Sequence, residues 1–124
     1  MNRAALFLIL MCVLAYSCRV KAAEPWTTEN KWVAATAVTL TVIDWGQNRY
    51  AAKNPDKFKG VNPILVEHPS TREVDRYFAG AIALELIIGH NLSAKWRTRF
   101  FGGAAFLEAG VVFNNSMIGV KVDF

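Results

Sequence analysis

Charge is scarce in this sequence. Asp, Glu, Lys and Arg make up 19% of it and apolar residues 53%, where a soluble domain carries about a quarter charged residues. The deficit points toward a membrane before any segment is inspected. Histidine is nearly absent, with only His68 and His90. Glu85 and His90 stand five apart, roughly 140° around a helix, so they share no ligand face. No H-E-x-x-H, G-x-S-x-G or glycine-rich phosphate loop occurs, which removes the common zinc-hydrolase, serine-hydrolase and nucleotide-binding readings. No apolar run reaches the 18 or so residues of an uninterrupted membrane helix. No internal repeat is visible, and 124 residues allow one domain.

The N-terminus has the three parts of an export signal. Arg3 supplies the positive end, Ala4 to Tyr16 form an apolar stretch, and Val20-Lys21-Ala22 supply small residues for cleavage after Ala22. The reading is a signal peptide over 1–22 and one domain over 23–124. The alternatives are an uncleaved anchor and lipidation at Cys18, although Tyr16 is bulky for a lipoprotein box. Removing the signal changes two global properties. Three of the 14 basic residues, Arg3, Arg19 and Lys21, go with it, leaving 11 against 10 acidic ones. The sequence pI near 9.3 is therefore no argument for nucleic acid. Both cysteines, Cys12 and Cys18, go as well, which closes disulfide, thiolate-metal and thiol-nucleophile chemistry.

Three apolar stretches and one long loop follow. The spacing predicts helices over about 29–52, 70–89 and 93–115. Thr28 is the expected N-cap of the first, with Glu29 in its positive first turn. On that helix Thr36, Gln47, Leu40, Asp44, Asn48 and Thr41 share roughly 140° of arc, so one face is polar and the rest is apolar. Asn54 to Pro69 is a loop pinned by Asn54-Pro55, Asn62-Pro63 and His68-Pro69. Ser70-Thr71-Arg72-Glu73 is a capping box opening the second helix. Its Ala79, Gly80, Ala81 and Ala83 permit close helix approach. Lys95, Arg97 and Arg99 precede the third apolar run, Phe100 to Phe113, in which Gly102-Gly103 is a packing notch. Ile118 to Phe124 alternates strictly, which predicts a strand.

The expected fold is all-α: a three-helix, membrane-embedded bundle after the signal, with a short extended C-terminal tail. Trp26, Trp32, Trp45, Tyr50, Tyr77 and Trp96 flank the apolar runs as at membrane interfaces, and polar residues are few for a bundle coated by water. The rival is a core helix bundle in water, for which runs of this length are usual. The inner membrane is the expected location. Arg49, Lys53, Lys57, Lys59 and Arg72 favour a cytoplasmic loop, while Lys95, Arg97 and Arg99 weigh against it. The terminal Phe124 leaves outer-membrane association or the periplasm as alternatives. A single-chain barrel needs about eight strands of ten residues, for which the helices leave no room.

One carboxylate interrupts each apolar stretch: Asp44, Glu85 and Glu108. Burying such a charge is costly, so these are functional candidates. Converging, they would bind a cation, carry protons or do acid–base work. The structural alternative is that they pair with Arg76, Arg97 or Arg99, or are protonated, and fix helix register. Ser70 is better explained as a cap than as a nucleophile, and His68 before Pro69 as a loop residue than as a base.

Several segments carry a resemblance. Asp44-Trp45-Gly46-Gln47 with Arg49-Tyr50, then Asn62-Pro63-Ile64-Leu65 with His68-Pro69-Ser70, then Val74-Asp75-Arg76-Tyr77-Phe78 resemble a group of small uncharacterised bacterial and bacteriophage membrane proteins. The likeness spans roughly residues 32–115. It implies a shared helical fold and a phage or prophage setting, and no mechanism. It also implies that Asp44, Gln47, Asn62 and His68 belong to one constellation. With Glu85 and Glu108 these form the candidate buried polar cluster.

The sequence therefore points to a non-enzymatic accessory or interaction protein of the cell envelope, with no cofactor or metal. Its expected partners are membrane lipids, another membrane protein or a second copy, and not nucleic acid. The rival is an embedded enzyme or ion- or proton-handling protein using Asp44, Glu85 and Glu108.

Overall fold

A computed structural model describes residues 23–59, 64–65 and 68–124. The proposed signal, both cysteines and Asn62 lie outside these residues. Three helices follow one another: α1 (Thr28–Lys53), α2 (Thr71–Asn91) and α3 (Ala94–Met117). The all-helical expectation and the three positions hold to within about two residues at each end. The first cap is Thr27 rather than Thr28. Its hydroxyl accepts from the Asn30 N–H, and the Asn30 side chain accepts from the Thr27 N–H. The second helix opens on Ser70 and Glu73 as their spacing requires.

The membrane-embedded part of the expectation is corrected. Among the described residues no helix is long and apolar enough to cross a membrane. Asp44, Gln47, Asn48 and Arg49 interrupt α1, Glu85 interrupts α2, and Glu108 followed by Asn114-Asn115 interrupts α3. Each break falls inside the span a bilayer would need, where a charge is expensive.

The helices run up, down and up. Asn30 meets Ala94 and Thr98, and Gln47 meets Val112 and Ser116, so α1 and α3 are parallel. Asp75 meets Trp45 and Arg49, while His90 meets Trp26, so α2 is antiparallel to α1. The α1–α3 contact is the most extensive and the α2–α3 contact the least. On α1 the buried row is Asn30, Ala34, Ala37, Thr41, Asp44, Asn48 and Ala51. Its alternating steps of four and three are the spacing of a coiled-coil seam. No large aliphatic side chain occupies that row. Small and polar residues let the two parallel helices approach closely, and Phe101 of α3, fully buried, packs with Ala34 and Ala37. The bare Cα of Gly89 receives the Phe101 ring, where a Cβ would overlap it.

Arg97 is 0% exposed and closes one end of the bundle. Its guanidinium donates to the carbonyls of Gly89 (2.8 Å), Leu92 (2.8 Å), His90 (3.3 Å), Glu24 (3.0 Å) and Pro25 (3.3 Å), and to Asn30 Oδ1 (3.0 Å). It also lies 4.6 Å from the Trp26 ring centre, a cation–π contact. The expected pairing of Arg97 with a carboxylate is thus replaced by a ring of carbonyls. Gly89 and His90 end α2, where the helix dipole is negative and a cation is favoured. At the other end of the bundle, Trp45 Nε1 donates to Asp75 Oδ1 at 2.8 Å, and Arg49 pairs with Asp75.

The tail is extended but is not a strand. Gly119, at φ +87°, ends α3 in a Schellman turn, with its N–H on Ser116 O and the Val120 N–H on Asn115 O. The chain then crosses α1 at Gly46, whose carbonyl accepts from the Asp123 N–H at 3.1 Å. Val122 and Phe124 occupy the space a Cβ at Gly46 would need. Alternation along the tail reflects a side packed on a helix, with no partner strand among the described residues.

Replacing Arg97 by Met leaves this ring of buried acceptors without a donor. The expected loss of stability is about 3–5 kcal/mol, read from the urea midpoint. Arg97→Lys should recover only part of it, because one ammonium cannot fork to carbonyls on several sides. A loss below about 1 kcal/mol for Arg97→Met would contradict this account.

Candidate functional site

The Asp44-Trp45-Gly46-Gln47 turn sends four consecutive positions to three neighbours, α3, α2 and the tail, because a helix advances about 100° per residue and returns to the same side after three or four. Asp44 points into the seam. Trp45 turns to α2, where it stacks on Phe78 at 6.3 Å with 6° between planes. Gly46 seats the tail. Gln47 reaches α3, where its Nε2 donates to Val112 O at 3.2 Å and Ser116 Oγ at 3.0 Å.

Around Asp44 the polar groups form one connected network. Asn48 Nδ2 donates to Asp44 Oδ1 at 2.9 Å. Asn115 Nδ2 bridges Asp44 Oδ1 at 3.0 Å and Gln47 Oε1 at 3.1 Å. Asp44 is 3% exposed and all four side chains are buried. Buried amides and carboxylates satisfied in this way fix register, because any slip leaves a polar group unpaired. Asn115, just beyond the third apolar run, is the bridging residue. The signal that could have found it is the inward seven-residue spacing from Glu108.

Glu108 lies within electrostatic reach of both other carboxylates. The charge of Glu108 on α3 acts on both Asp44 of α1 and Glu85 of α2. Burial, then Glu108, pushes the Asp44 carboxyl up to about 7, against the hydrogen bonds from Asn48 and Asn115. Burial, then Glu108, pushes Glu85 up to about 7 as well. Burial raises Glu108. Glu85 Oε1 and Glu108 Oε2 are buried with no hydrogen-bond partner. None of the three is paired with Arg76, Arg97 or Arg99. Among the described residues no three His, Cys, Asp or Glu side chains are grouped to hold a metal ion.

Other predicted residues fall elsewhere. His68 is exposed in the loop, away from the Asp44 network, and Asn62 lies outside the described residues. Asp44 and Gln47 are instead joined by Asn48, Asn115 and Ser116. Thr36, placed on the polar face, is exposed and its hydroxyl returns to Trp32 O. The chain matches no known protein family, no curated protein and no solved structure among those compared.

The raised carboxyls set a pH dependence. The folded protein holds protons that the unfolded chain, with ordinary values of 3.8 and 4.5, has released. Stability is therefore full below about pH 4 and declines as pH rises through 7, by a few kcal/mol in total. Asp75 works in the opposite sense. The hydrogen bond from Arg49, then that from Trp45, holds its carboxyl low, so its contribution fades only in acid. Urea melts across pH 4 to 8 should show the decline, and Asp44→Asn, which keeps the acceptor for Asn48 and Asn115, should flatten it. An unchanged slope in that variant would refute the assignment.

Proposed function

We propose that the protein is a non-enzymatic accessory protein of the bacterial envelope that docks on an anionic lipid surface through the outer face of α3, without crossing it. The observation that carries this reading is the distribution of side chains around α3. Phe106 is 80% exposed, Phe113 68% and Met117 72%. Leu107 and Val111 are also exposed, and together these residues cover roughly 160° of the helix surface. Exposed apolar area of this kind marks an interaction site.

Charge decides the partner. Glu108 is the only acidic residue of α3, and it faces inward. Lys95, Trp96 and Arg99 stand at the start of the exposed face, with the Arg99 guanidinium 5.0 Å from the Trp96 ring centre. Trp32, largely exposed on α1, lies toward the same end. An apolar helix face led by basic and tryptophan side chains is suited to the interface of anionic lipids. The resemblance of the Asp44–Gln47 and His68–Ser70 segments adds a phage or prophage setting to the proposal.

Flotation with vesicles containing phosphatidylglycerol tests it. The protein should float with these vesicles and far less with pure phosphatidylcholine, and added salt should weaken the binding. Phe106→Ser with Phe113→Ser should lower binding at least tenfold, since each ring contributes about 1.5–3 kcal/mol when buried. Self-association without lipid, abolished by the same pair of substitutions, would assign the face to a second copy instead.

A further inference from the structure

The inward row of α2 is short. Val74, Phe78, Glu85 and Gly89 are its buried residues. Its ends are tied, by Trp45 and Arg49 to Asp75 at one end and by Arg97 to the Gly89 and His90 carbonyls at the other. Between Phe78 and Gly89 the only buried side chain is Glu85, at 9% exposure. A carboxyl group thus occupies the position where a core leucine would ordinarily sit. Its Oε1 is buried and unpartnered, as is Glu108 Oε2 across the α2–α3 groove.

We propose that Glu85 and Glu108 form a shared proton site that latches the middle of α2 onto the α1–α3 pair. Glu108 of α3 is within electrostatic reach of Glu85 from α2 and, farther along the bundle, of Asp44 from α1. No ion pair of the described residues reaches them: Arg49 pairs with Asp75 and Lys53 with Asp123, while Arg97 is held by carbonyls and Arg99 lies over Trp96. With no cation to balance them, the two are neutralised by protons taken from solvent. Each uptake converts a carboxylate to a neutral carboxylic acid. Loss of those protons leaves like charges in a poorly hydrated groove. The cheapest relief is to admit water by lifting the middle of α2, which has the weakest contact with α3. This inference stands independently of lipid docking.

Hydrogen exchange on the full chain tests it, with rates corrected for the intrinsic effect of pH. Between pH 5 and pH 8 the amides of Ala79 to Ile88 should lose at least tenfold more protection than those of Ala34 to Thr41 and Phe101 to Ala105, which follow only the global decline in stability. Glu85→Gln with Glu108→Gln should abolish the difference, since glutamine keeps the shape without the charge. Persistence of the difference in that variant would overturn the proposal. So would an equal loss across all three helices in the unaltered chain, a readout that does not depend on the variant folding. Full protection restored at pH 8 by sodium or potassium chloride, and by neither in the variant, would assign the site to a metal cation and overturn the proton.

Discussion

Taking a guanidinium out of water costs several kcal/mol unless its donors are satisfied, and Arg97 meets that condition without any carboxylate. Carbonyls from residues 24–25, from the end of α2 and from the following turn converge on it, with Asn30 of α1 completing the ring. These acceptors belong to segments far apart in the chain. They can surround one side chain only if the α2–α3 turn, the entry to α1 and the first turns of α3 are held in one arrangement. Once that end is fixed, the parallel course of α1 and α3 follows, and with it the register that brings Asn115 to Asp44.

What lies along that register is unusual for a helix pair. The seam is built from Ala, Thr, Asn, Gln and Asp, and, Phe101 apart, most of the larger apolar side chains of α3 face outward. Burial of aliphatic area therefore contributes less than in an ordinary bundle core, and hydrogen-bond satisfaction contributes more. Such a seam discriminates sharply between registers, because a displaced amide loses its partner while a displaced leucine merely finds another neighbour. The same arrangement leaves the outer surface of α3 apolar, so one choice accounts for both the polar interior and the lipid-facing surface proposed for it.

Much of this was legible in the sequence. The Ser70–Glu73 box, the three helices and the inward polar arc holding Thr41, Asp44, Gln47 and Asn48 follow from spacing alone. Membrane insertion was inferred from total apolar content, but that content is distributed over the outside of helices too interrupted to span. The role of Arg97 was hidden, because three basic residues ahead of an apolar run look like a solvated flank. Nothing local shows that one of them meets carbonyls some seventy residues upstream. The tail misled for a related reason: period-two alternation reports which side is covered, not whether the cover is a strand or a helix.

The three-way turn at Asp44–Gln47 has a consequence for how this chain can vary. Its positions answer to three neighbours: Asp44 and Gln47 to α3, Trp45 to α2 and Gly46 to the tail. A single-residue insertion or deletion just upstream would rotate the turn by about 100° and hand every side chain to the wrong neighbour at once. Drift at this turn therefore requires concerted change in three other segments, whereas the outer face of α3 can exchange one apolar residue for another without touching the interior. Where homologous chains diverge, this turn should be the last part to change and the surface of α3 among the first.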